Sequence, residues 1–167
     1  PLAVMIVPLV LILAQLGLWF DRAPLRPGQE TLVKAGLEPG ANPVPLGLEL
    51  ETPAWLEVTA PAVRIPDERE VVWRVKALAA GTGFVRLRAA GWSVEKSVIA
   101  GGRPLDKVSA LASRGSFGTR VLHPGEAPLP SGTPVRSVEV LYPSRTLTAF
   151  GVRIHWLVAY LVLSIAF

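Results

Sequence analysis

Apolar and polar positions follow two rhythms along this chain. Pro1 to Phe20, PLAVMIVPLVLILAQLGLWF, is apolar without a charge, and Gln15 is its only strongly polar side chain. At about 1.5 Å per residue such a helix reaches roughly 30 Å, the thickness of a bilayer's hydrocarbon core. The stretch therefore reads as a transmembrane helix, with Pro8 as a possible kink. Trp19 and Phe20 at its end, followed by Asp21 and Arg22, read as membrane-interface anchors. Val152 to Phe167, VRIHWLVAYLVLSIAF, mirrors it. It reads as a second, truncated span anchored by Arg153, Trp156 and Tyr160. The initial Pro and the apolar end predict a fragment with sequence missing on both sides. A cleaved signal peptide fits poorly, because the first apolar run is too long and no small-x-small site follows.

Between the apolar ends the rhythm becomes two. Residues 21–28, DRAPLRPG, form a stiff linker, and residues 29–142 form the predicted domain. Gln29 to Ala35 is a first short strand. Leu46, Leu48 and Leu50 alternate with Gly47, Glu49 and Glu51, and Leu56 and Val58 alternate with Glu57 and Thr59. Val63 and Ile65 form a short run closed by Pro66. The strongest signals are EVVWRVKA, GTGFVRLRAAG and WSVEKSVIAG. In these, Trp73, Val75, Val85 and Leu87 are assigned to the core, and Arg74, Arg86 and Arg88 to the outer face. The breaks AAGTG and AAG predict hairpin turns. Six or seven short strands at this spacing predict a two-sheet sandwich.

Gly102 to Pro134 breaks the alternation. Pro104 to Ser113 predicts a short helix with Val108, Leu111 and Ala112 inward, followed by the Pro/Gly-rich HPGEAPLPSGTP. A loop of that length is uncommon unless it is functional or supported by a surface. Either a partner holds it, through Phe117, Leu122 and Leu129, or it folds back on its own sandwich. Val135 to Tyr142 resumes as a strand with Val138, Val140 and Tyr142 on one face, and residues 143–151 link it to the second apolar run.

Charge changes this picture little. All 17 Lys and Arg and all 13 Asp and Glu lie between Asp21 and Arg153, for a net charge of +4. No clustered basic stripe of the kind that nucleic-acid binding needs is present. The absence of cysteine excludes disulfides, thiolate metal sites and cysteine nucleophiles. Arg22, Arg26, Arg145 and Arg153 gather near the two predicted membrane exits and read as headgroup anchors.

Candidate chemistry is sparse. His123 and Glu126 share a loop, but two residues fall short of the roughly four ligands of a structural zinc site. The segment GSFG lacks the form of a nucleophile elbow, and GTGF does not join a strand to a helix as a phosphate loop does. Glu49, Glu51 and Glu57 fall on outward strand faces. His155, inside the second apolar run, is the one candidate cofactor ligand, for a haem iron or a chlorophyll magnesium. An interfacial histidine is the plainer reading. No catalytic or metal site is assigned, and the chain is expected not to be an enzyme.

The block EVVWRVKALAAGTGFVRLRAAGWSVEKSVIAG resembles bacterial immunoglobulin-like modules of envelope proteins, in which a tryptophan-bearing strand precedes a Gly turn and a V-x-L-x-A strand. The whole arrangement resembles bacterial inner-membrane proteins with such a domain between two helices. Its topology is loosely similar to the start of YidC-type insertases. The resemblance implies a membrane-anchored all-β fold, an immunoglobulin-like antiparallel β-sandwich flanked by two transmembrane α-helices. It also implies a bacterial inner membrane location with residues 21–151 periplasmic. The function expected is a non-enzymatic membrane subunit that docks and stabilises a larger complex, for example an energy-transducing or photosynthetic one. The partners expected are the lipid bilayer and other membrane-protein subunits, not nucleic acid. Pro8 and Gln15 are the helix contacts expected for them. The alternatives are part of an insertase or transport factor whose core lies elsewhere, and a pigment- or haem-binding subunit using His155.

Overall fold

Alternation of period two governs the chain from Glu30 onward. The computed structural model describes residues 2–102, 106–115, 127–149 and 152–155. A helix, α1 (Leu2–Phe20), comes first. The strands that follow are β1 (Glu30–Leu37), β2 (Glu49–Glu51), β3 (Leu56–Val58), β4 (Val63–Ile65), β5 (Glu70–Ala77), β6 (Gly81–Ala89), β7 (Trp92–Ala100), β8 (Leu111–Ser113), β9 (Val135–Val140), β10 (Thr146–Ala149) and β11 (Val152–His155).

Two antiparallel sheets face each other over one core. The larger runs β3-β5-β1-β9-β8, with β4 also on β5, and the smaller runs β2-β6-β7. In the larger sheet β1 and β5 pair over their whole length, with Val33 opposite Trp73 and Ala35 opposite Val71. That register puts Val33, Ala35, Val71, Trp73, Val75 and Ala77 on the buried face and leaves Arg74 exposed. Val85 and Leu87 on β6 and Val94 and Val98 on β7 supply the other wall, while Arg86 and Arg88 point outward. Side chains of a strand alternate between faces, so the positions assigned to the core from periodicity are the ones buried.

Three features depart from that simple reading. AAG is a hairpin turn, joining Ala89 to its partner Trp92, but AAGTG is not. The latter carries the chain from β5 in one sheet to β6 in the other. The predicted helix over Pro104 to Ser113 is absent where the chain is described: 106–110 is irregular and Leu111–Ser113 pairs with β9 as a strand. Val108 and Ala112 still point inward. A register shift between Gly36 and Leu37 sets Leu37 opposite Val135 and Gly36 opposite Ser137, so Arg136 is an extra residue. This bulge turns Val135 into the core although strict alternation from Val138 would put it outside.

Neither predicted transmembrane helix is found among the described residues, and residues 156–167 of the second lie outside them. Among the described residues no helix is long and apolar enough to cross a membrane. The side chains described in α1 are those of residues 6–17 and Phe20. At the other end Val152–His155 is a strand, not the start of a helix. It pairs antiparallel with Thr146–Ala149, Thr146 opposite His155 and Ala149 opposite Val152. The sequence Val-Arg-Ile-His has the period of a strand and two β-branched residues. The membrane-anchored fold class, the inner-membrane location and the periplasmic placement of residues 21–151 rested on those spans and fall with them.

Trp73, 3% exposed, is the largest apolar side chain on the β5 face, so Trp73→Ala should cost about 3–5 kcal/mol in denaturant unfolding. Trp55, just before β3, lies across β6. A Cβ on Gly81 would stand 2.6 Å from its ring, whereas one on Gly83 would stand 3.7 Å away. Gly81→Ala should therefore destabilise the domain by about 1–3 kcal/mol through overpacking, and Gly83→Ala should be tolerated. Equal melting temperatures for the two variants would show that Trp55 does not lock the sheets at this point.

Candidate contact surface at the open seam

A sandwich has two seams where its sheets meet, and this one closes one and leaves the other open. On the closed side, Leu25 bridges Ala100 in parallel: the Leu25 N–H donates to the Ile99 carbonyl at 3.2 Å, and the Gly101 N–H donates to the Leu25 carbonyl at 2.6 Å. Tyr142, at the end of β9, places its hydroxyl where the Ile99 N–H donates to it at 3.1 Å. Lys96 lies wholly inside, 0% exposed. Its Nζ donates to the carbonyls of Ser97 (3.1 Å) and Ser109 (2.8 Å). A buried ammonium needs such acceptors, and these fasten the 106–110 segment over the end of the smaller sheet.

The open side is an apolar groove of about 490 Å³. Leu48, Glu49 and Leu50 line it from the β2 edge, and Val58, Ala60, Pro61, Ala62 and Arg64 from the β3–β4 edge, with Trp73 at its base. Both edges are built from very short strands. β3 and β4 lie one after the other along β5, Val58 opposite Val75 and Val63 opposite Val72. Between them the chain bulges outward at Ala60, Pro61 and Ala62, which keeps the edge from offering a long row of backbone groups. Val58, opposite the inward Val75, is an exposed apolar side chain on the groove, whereas Val63, opposite Val72, is exposed on the other face of the sheet. The alternation that marked residues 56–58 and 63–65 as strands was right; what it did not carry is that an edge leaves its apolar residues half outside.

The outer face of the smaller sheet is a charge ladder. The Arg86 guanidinium donates to Glu95 Oε1 at 2.5 Å and stands 3.7 Å from Glu51, and Arg88 pairs with Glu51 at 2.5 Å. The hydrogen bond and charge of Glu95 raise the Arg86 pKa above its ordinary value. These pairs are exposed and mutually compensated, so each contributes little to stability. No three His, Asp or Glu side chains gather as metal ligands among the described residues.

The candidate contact residues separate. Leu129 is 5% exposed and belongs to the core, not to a partner surface. Its N–H donates to the Ser113 carbonyl at 3.3 Å. Arg114 holds the same stretch, donating to Glu38 Oε1 at 2.8 Å, to the Val135 carbonyl at 3.2 Å and to the Thr133 carbonyl. The described end of the long segment is thus folded back on the sandwich. Phe117 and Leu122 lie outside the described residues, as do Trp156 and Tyr160. Pro8 is exposed within α1 and Gln15 is half-buried. His155 and Arg153 lie on β11, and Trp19 near the end of α1. Arg145 is no headgroup anchor: it is 6% exposed, with its guanidinium 5.6 Å from the centre of the Phe20 ring. Burial lowers its pKa, and the charge of Asp106 opposes that shift. Arg22 likewise turns to the domain, its Nη1 donating to the Tyr142 carbonyl at 3.2 Å.

If Lys96 is the fastener of the closed seam, Lys96→Met should lose about 1–3 kcal/mol by orphaning two carbonyls, and Lys96→Ala more, because it also leaves a cavity. Urea unfolding of the two variants gives the order; a Met variant as stable as the parent would show that those hydrogen bonds carry nothing. No protein family, curated protein or solved structure matches this chain, so the fold is defined by its own topology.

Proposed function

We propose that this chain works by contact, as a non-enzymatic domain that docks to a partner protein and receives an apolar segment of it in the open seam. The observation that supports this reading is the groove itself: one seam of the sandwich is sealed, while the other exposes a Trp73-based apolar trough between Glu49 and Arg64. Recognition sites are concave, mostly apolar and bordered by a few polar groups. A trough of about 490 Å³ suits a few side chains of a partner and not a whole protein surface. The exposed Val58 contributes an apolar side chain at its rim. Glu49 and Arg64 stand on the two sides with opposite charge, an arrangement that selects orientation more than affinity.

Photo-crosslinking in cells tests the proposal. A photoreactive residue at Val58 or Ala62 of the full chain should give a discrete adduct with one protein. Ala60→Arg should reduce that adduct at least several-fold while leaving the melting temperature unchanged. A probe at Ser93, on the charged outer face, should give none. Equal adducts from both faces, or no effect of Ala60→Arg, would refute a docking role for the seam.

A further inference from the structure

The chain between α1 and β1 and the chain after β9 meet at one corner, and their contacts are specific. The Arg145 backbone N–H donates to the Asp21 carbonyl at 2.7 Å, and the Ala23 N–H donates to the Pro143 carbonyl at 2.9 Å. Arg22 and Ser144 form an antiparallel bridge. The Arg145 side chain then closes the corner. Its Nε and Nη2 both donate to the Arg22 carbonyl, at 3.1 and 2.9 Å, and Nη2 also donates to the Asp106 carbonyl at 2.7 Å. The Asp21 N–H, in turn, donates to the Gly17 carbonyl at 2.8 Å and continues the last turn of α1. The guanidinium therefore sits at the helix C-terminus, where the macrodipole favours a cation, over the last aromatic ring of that helix.

Across residues 6–12 α1 is bare. Ile6, Val7, Leu9, Val10, Leu11 and Ile12 are all large exposed apolar side chains, so the sandwich does not cover that part of the helix. Whatever fixes its direction must act at its C-terminal end. We propose that Arg145 is a positioning residue, a clasp that holds α1 at one angle to the sandwich so that helix and domain move as a single body. A planar, forked guanidinium can bond two carbonyls and stack on Phe20 at once; a lysine ammonium is a point donor on a flexible stem and cannot do all three. The proposal is independent of the seam groove, which lies among β2, β3, β4 and β5.

Because the chain has no cysteine, Val10→Cys and Glu57→Cys place two spin labels cleanly, one on α1 and one on β3. Double electron–electron resonance on the full chain, diluted with unlabelled protein, reads the distance between them. The parent should give one narrow distribution. Arg145→Gln should broaden it at least twofold while the sandwich still melts cooperatively, and Arg145→Lys should fall between. An unchanged distribution in both variants would overturn the clasp. Loss of the strand signal by circular dichroism in both would overturn it too, by making Arg145 a residue of the folding core.

Discussion

The pairing of β1 with β5 is the constraint on which the rest of the structure depends. Seven consecutive residue pairs, from Glu30–Lys76 to Gly36–Glu70, hold these strands in one register. Side chains have a period of two, so a slip by one residue would present Arg74 and Lys76 to the core and Trp73 to water. Every other strand of the larger sheet is placed by these two: β3 and β4 on the outer edge of β5, β9 on β1, and β8 on β9. The smaller sheet attaches through the face they share, not through backbone bonds, so its position is set by packing against the β5 side chains and by the Trp55 ring lying on β6.

The two seams follow from what each edge has to offer. On one side the linker after α1, a buried tyrosine hydroxyl and a buried lysine satisfy backbone groups at the ends of both sheets. On the other, β2, β3 and β4 have three residues each. There Leu50 and Val58 are left partly exposed beside the buried Leu48 and Trp73, and the four line a trough. The closed seam gives the domain its rigidity, and the open one gives it apolar surface facing outward in a defined shape. A contact function needs both, since a trough whose walls shift independently has no fixed form to match.

Much of the sandwich was legible from alternation alone, because a strand with one buried face records that face in its sequence. Val71, Trp73 and Val75 against Arg74 and Lys76 is such a record. The same rule, applied without regard to charge, also places Lys96 between Val94 and Val98 on the buried side, where it lies. What was not legible depends on residues far apart in sequence. The bulge that turns Val135 inward arises from its pairing with Leu37. The switch of sheet at 78–80 leaves no mark that distinguishes it from a hairpin. Alternation could not decide whether Leu129 met a partner or folded back on the sandwich, because nothing local shows that Arg114 gathers that stretch onto it. Summed hydropathy misled at both ends: it made a span of Val152 onward, where the alternating Val-Arg-Ile-His pairs with Thr146–Ala149, and it said nothing of the Arg145 corner that receives α1. The seam groove was missed for a related reason, since its walls come from edge strands of different sheets.

Native-state amide hydrogen exchange tests the central place of β1 and β5 most directly. Opening free energies in a folded protein range from near zero at frayed edges to the global value in the last structure to open. The account predicts that the hydrogen-bonded amides across residues 31–36 and 71–76 exchange only by global unfolding, with free energies that match denaturant melting, while those of residues 49–51 and 63–65 exchange by local opening. Exchange across β1 and β5 as fast as at the short edge strands, with slow exchange confined to the β6–β7 hairpin, would contradict it and make the smaller sheet the foundation of the fold.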